Sequence, residues 1–155
     1  MKNILTRAIQ FACGALMVAV TGVVFLQVIS RYVFHHPFDW PEELARYLFV
    51  WVALLGAALA LSRGAHFSID ALVKRFSPRL QTGIALTVHL CLSIFLFLVA
   101  ASGFQLAMKV KEQPSAAMQI SMTLPYLSIP ISFALMFLFT LADLSRLVKR
   151  RGLDR

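Results

Sequence analysis

Four long apolar blocks, parted by short polar or mixed segments, set the pattern of the chain: 8–30, 44–61, 83–108 and 124–144. Each approaches or exceeds the roughly 20 apolar residues that a helix needs to cross a hydrocarbon core. The blocks are continuously apolar and lack the short alternating segments of a membrane β-barrel. The pattern predicts an all-α integral membrane protein with four transmembrane helices in a single membrane domain over 1–155. At 26 residues, the third block would reach about 39 Å against a core of about 30 Å, so it should tilt or project. Pro125 opens the fourth block and Pro130 removes a backbone bond inside it, which predicts a kink between Tyr126 and Pro130. Between the second and third blocks, Ile69, Leu72, Val73 and Phe76 recur at helical spacing, with Asp70, Lys74 and Arg75 on the other side. That spacing predicts a short amphipathic helix over 68–76, lying on the cytoplasmic membrane surface.

Composition agrees with the pattern. The 155 residues are 59% hydrophobic and 14% charged, and the mean hydropathy of +0.77 is far above that of a soluble domain. A net charge of +8 could suggest nucleic acid, but the basic residues sit in short runs between apolar blocks, without the basic surface or aromatic interleaving that grips phosphates. Their placement instead gives orientation. Eleven of the fifteen Lys and Arg lie before the first block, in the second connection or in the tail, leaving only Arg31, Arg46, Lys109 and Lys111 on the other side. The positive-inside rule therefore predicts that both termini are cytoplasmic. The first block is too long for an ordinary signal peptide and is expected to stay as a signal anchor. Cys13 and Cys91 fall inside predicted spans and form neither a disulfide framework nor a metal spacing.

The polar stretch 38–47 organises the rest. Asp39 is placed to cap a helix, Glu42 completes a capping-box-like spacing, and Pro41 sits in the first turn, where its missing N–H costs nothing. Arg46 follows Glu42 by four residues and Glu43 by three, so the three are expected to meet on one face as an ion-paired cluster, with Trp40 as an outer interface anchor. Trp51, about 10 Å further along the helix than Leu44, is too deep for an anchor and should pack against protein. Small residues at spacings of three and four occur in the first span (Gly14, Ala15, Ala19, Gly22) and in the second (Ala53 with Ala57, Gly56 with Ala60). Such stripes let helices approach closely, and two in succession imply that a partner is covered as well. His66 and Asp70, four apart, can bond to each other across a first helical turn. His89 lies within the third span. With no second histidine in a span, it is expected to be a neutral residue bonded to another helix rather than a haem ligand. The connection 109–123 is too apolar for a free loop and should dip against the membrane or a partner.

The sequence contains no catalytic arrangement, metal cluster, phosphate loop or dinucleotide fingerprint, and the spans offer almost no ionisable groups for an ion path. Physics alone therefore points to a non-enzymatic helical subunit, without a cofactor, that packs against something larger. A self-associating four-helix transporter and a haem-bearing membrane anchor of an oxidoreductase are the other classes.

The order Arg31-Tyr32-Val33-Phe34, Trp40-Pro41-Glu42-Glu43-Leu44-Ala45-Arg46, Gly56, then His66 and Asp70 with Leu72 and Val73, resembles the small membrane subunit of tripartite ATP-independent periplasmic (TRAP) transporters, the DctQ-like family. The run from Ser115 through Ile120, Tyr126 and Pro130 is also similar, so the resemblance covers nearly the whole chain. It implies a location in the bacterial inner membrane and two protein partners: a large permease that carries an organic acid with sodium, and a periplasmic binding protein that delivers it. The small subunit would be a scaffold with no substrate site of its own. The resemblance gives Glu42, Glu43 and Arg46 a role beyond capping, in contact with the large subunit or near the dock of the binding protein.

Overall fold

No proline interrupts 2–32 or 79–109, and each stretch lies within a single helix, whereas the prolines at 41, 125 and 130 fall within the first turn of a helix. A computed structural model describes residues 2–36, 38–63 and 78–153. Four long helices, α1 (Lys2–Tyr32), α2 (Trp40–Ser62), α3 (Pro78–Lys109) and α5 (Ser128–Leu153), are joined by short segments and a one-turn α4 (Thr123–Tyr126). By length and composition, Ile4–Tyr32, Trp40–Ser62, Gly83–Lys109 and Thr123–Ser145 can each cross a membrane. The amphipathic helix expected over 68–76, with His66 and Asp70, lies outside the described residues.

α1 ends where His35 turns left-handed at φ 54°. The amides of Val33 and Phe34 bond to the Ile29 carbonyl, and that of His36 to Ser30. The expected kink coincides with the break between α4 and α5. Leu127 keeps right-handed helical angles there, and its amide still donates to Thr123 O at 2.9 Å. Backbone bonding therefore continues across the break, and the Ser128 hydroxyl satisfies the Pro125 carbonyl at 2.6 Å. Other buried hydroxyls, those of Ser30, Ser62, Ser93 and Thr140, likewise donate to carbonyls one turn back in their own helices, so they enter an apolar environment already bonded.

The principal helix pairings are α1 with α2, α2 with α5, and α5 with α3. The helices therefore follow one another across an open layer rather than closing into a ring. One cluster, Ile9, Leu55 and Phe139 with Trp51 packed against it, joins α1, α2 and α5. A second, Ala58, Leu96 and Met136, joins α2, α3 and α5. Trp51 thus packs against protein, as its depth predicts. The flanks of the layer stay open: Ile4, Phe11, Val18, Phe25 and Tyr32 on α1, and Leu90, Ile94, Phe97 and Phe104 on α3, are all exposed.

The small-residue stripes do not bring helices together within the chain. A Cβ added at Gly14, Gly22 or Gly56 would meet nothing within 4 Å, and Ala53, Ala57 and Ala60 are exposed. The reason is helical phase: these α2 positions lie opposite Leu55, Ala58 and Ser62, which are buried. Among the described residues, the glycine that permits a close approach is Gly103 on α3. A Cβ there would sit 2.8 Å from Ile129 Cγ2 and 3.3 Å from Pro130 Cδ. Both neighbours are stiff, one β-branched and one cyclic, so the backbone would have to give. Gly103→Ala is expected to cost about 1–3 kcal/mol through overpacking, while Gly14→Ala and Gly56→Ala should not destabilise. Thermal unfolding of the three variants in the same detergent checks this, and equal melting of Gly103→Ala and wild type would refute the close crossing.

Candidate functional site

The expected three-residue cluster at the start of α2 is split by the helix geometry. Arg46 bonds to Glu42 across one turn at 3.2 Å, with both side chains more than two-thirds exposed. Glu43 points elsewhere. It lies on the buried face, 7% exposed, and its Oε1 accepts the hydroxyl proton of Tyr47 one turn on. Its Oε2 accepts the amides of Ala117 at 2.6 Å and Met118 at 3.1 Å. Arg46 therefore does not hold two buried carboxylates. Nor does Asp39 act as the expected cap: its backbone is right-handed helical, and its carboxylate makes no capping bond. Pro41 is in the first turn, as read, and is fully buried. The Trp40 ring lies 6.5 Å from that of Phe38 at the exposed edge, while Gly56 stands well down α2, remote from this end.

The segment bound by Glu43 carries a bond network of its own. Pro114 and Ser121 form an antiparallel bridge, Ser115 N–H donates to Ile120 O at 2.8 Å, and Met122 N–H donates to Gln113 O at 3.0 Å. Gln119 takes the left-handed conformation, φ 55°, while its side-chain amide donates to the carbonyls of Ser115 and Ala116. The Ser121 hydroxyl donates to Lys111 O at 2.7 Å, and that of Thr123 to Ala107 O at 3.1 Å, anchoring the turn to the end of α3. The connection 109–123 therefore folds onto this chain's own α2. Two consecutive amides aimed at one carboxylate are a small backbone anion site, occupied here by Glu43. Sequence reasoning missed Tyr47 and this turn. The i,i+4 spacing of Glu43 and Tyr47 was a visible signal, but a loop partner more than 70 residues away was not.

Beside this contact lies a groove of about 720 Å³, between the end of α1, the start of α2 and the turn; its wall includes Gln27, Arg31, Phe38, Asp39, Arg46 and Gln113. Among the described residues, no three His, Cys, Asp or Glu side chains are grouped to hold a metal ion. His89 Nδ1 lies 2.8 Å from the Ala85 carbonyl in its own helix. Cys13 and Cys91 are free.

Fold and site together define a polytopic helical membrane protein whose polar contacts brace one end. The family described as tripartite ATP-independent periplasmic transporters, DctQ component, matches residues 20–150, and the chain belongs to it. Among individual relatives, it is 37% identical over 87 residues, 54% of this chain, to the sialic acid TRAP transporter permease protein SiaT of Haemophilus influenzae. It is 24% identical over 149 residues to the sialic acid TRAP transporter small permease protein SiaQ of Vibrio cholerae, covering 96% of this chain and 86% of that one. To the C4-dicarboxylate TRAP transporter small permease protein DctQ of the same organism it is 32% identical over 94 residues, 60% of this chain. The matches span 14% of SiaT and 40% of that DctQ, so the chain corresponds to only part of these two relatives.

The geometry separates the two acids by experiment. Glu43→Gln removes the anion that holds two amides and a hydroxyl, and should free the turn at 115–120, read as faster amide exchange and faster proteolysis there. Arg46→Ala breaks only an exposed i,i+4 pair, worth roughly 0.3–0.5 kcal/mol, and should leave that exchange unchanged. Equal effects of the two substitutions would contradict the split.

Proposed function

We propose that the chain is the small membrane subunit of a sodium-coupled TRAP transporter, a scaffold for a large permease that takes up an organic acid delivered by a periplasmic binding protein. In this reading it resides in the bacterial inner membrane with both termini cytoplasmic, and the Glu43 end faces the periplasm. The observation that carries the reading is the open layer of helices. A transporter acting alone needs a polar path enclosed across the membrane, whereas here the Glu42–Arg46 pair and the Glu43 contacts stand together at one end and both flanks present large apolar side chains. Packing against a larger membrane protein gives those flanks a use. Membership of the DctQ family supports the assignment, and the names of the relatives, which include a sialic acid and a C4-dicarboxylate system, support an organic anion as the substrate. The chain itself contributes structure and no catalytic step.

Affinity purification of the chain from its native membrane in mild detergent is expected to recover a large permease in roughly equal amount. Reconstituted alone, the chain should give no uptake in vesicles; together with that permease it should support uptake that depends on a sodium gradient. Recovery of self-associated copies alone, with uptake by the isolated chain, would overturn the scaffold assignment.

A further inference from the structure

The scaffold reading leaves the groove beside Glu43 without a purpose. Its volume of about 720 Å³ falls within the roughly 300–1,000 Å³ of small-molecule sites. Of its charged wall residues, Glu43 is saturated by the turn, and Arg46 and Glu42 hold each other. Two opposite charges are left over. Arg31, in the last turn of α1, and Asp39, just before α2, both line the groove, and neither side chain has a hydrogen bond or ion pair among the described residues. Asp39 does not spend its carboxylate on capping its helix. Gln27, one turn before Arg31 and half-buried, adds an amide to the same wall.

The rim fixes the depth. Phe38 lines the groove, and Tyr32, Phe34 and Trp40 are exposed at the same end of the chain, Tyr32 by 71% and Phe34 by 62%. They stand where two helices able to cross the membrane terminate, which is the level of lipid headgroups, where aromatic side chains gather. A free cation, a free anion and an apolar rim at that depth match one amphiphile. We propose that the groove holds the headgroup of a phospholipid bearing a primary amine, with the phosphate on Arg31 and Gln27, the ammonium on Asp39, and the glycerol against Phe38. A purely anionic headgroup would leave Asp39 facing negative charge with no donor, and a quaternary amine has no N–H to give its carboxylate. A soluble phosphoethanolamine ester shares the polar chemistry but leaves the rim unused. A partner's peptide loop needs no rim at headgroup depth. The assignment does not depend on the presence of a large permease.

The test uses the full chain in detergent with an equimolar mixture of phosphatidylethanolamine, phosphatidylcholine and phosphatidylglycerol of identical acyl chains, the retained lipid being counted by native mass spectrometry. Phosphatidylethanolamine should be retained roughly threefold to fivefold over each of the others, the upper part of the range of an exposed ion pair. Asp39→Asn should bring it down to the level of phosphatidylcholine, and Arg31→Gln should lower retention of all three. Neither side chain has a partner to lose, so the melting temperature in lipid-free detergent should not change. Phe38→Ala should weaken retention without altering headgroup preference. Excess soluble glycerophosphoethanolamine should leave the lipid in place, and ready displacement by it would overturn the lipid assignment. No preference in the wild type, a preference that survives both charge substitutions, or a bound polypeptide that those substitutions release in place of lipid would equally overturn it.

Discussion

A carboxylate at the edge of a membrane span has to be answered by donors, and Glu43 draws its answer from two places in the chain. Tyr47 comes from its own helix, one turn on; Ala117 and Met118 come from the turn between α3 and α4. Because that turn is tied by Ser121 and Thr123 to the end of α3, one acid couples the start of α2 to the far side of the layer. Charge-assisted bonds of this kind are the stronger ones, and their alternative, an unpaired carboxylate among apolar groups, is costly. The adjacent Glu42 shows the contrast. One residue of helical rotation puts it in solvent, where its pairing with Arg46 organises nothing else.

The rest of the layer is assembled without the driving force that builds soluble cores, since lipid tails are as apolar as leucine. What remains is fit. Ala58 lets α2 sit close to Leu96 and Met136, Gly103 admits the Ile129 and Pro130 side chains, and Trp51 fills space beside the Ile9, Leu55 and Phe139 cluster. The break at Leu127 lies beside the same crossing, since Ile129 and Pro130 stand at the start of α5, opposite Gly103. The same proline chemistry that interrupts the helix thus places the residues that its neighbour must accommodate.

How much of this was legible in the sequence follows from the range of the interactions. The four helices could be read because an apolar run of that length is itself the physical cause of a span, and the place of the break because Pro130 removes a specific bond. The depth of Trp51 could be read because helical rise is fixed. The partner of Glu43 could not: spacing allowed Arg46 to serve either acid, and the donors that decide the matter lie 74 and 75 residues away. Which stripe packs within the chain was hidden for a related reason. Spacing shows that Ala53, Gly56, Ala57 and Ala60 share a side of α2, but which side meets α5 depends on where Leu55 and Ala58 find neighbours. Gly103 carried no local mark at all, because its role is set by side chains on another helix.

The outward ridge of α1 has its own geometry. Ile4, Phe11, Val18, Phe25 and Tyr32, all exposed, recur every seven residues, while an α-helix turns every 3.6, so the ridge slips by about 20° at each repeat. Across the four repeats it winds through about 80° around the helix. A straight rod laid against α1 could touch only part of that line. Anything that follows it from end to end has to be either fluid, as acyl chains are, or wound to the left around α1 with the pitch of a coiled coil.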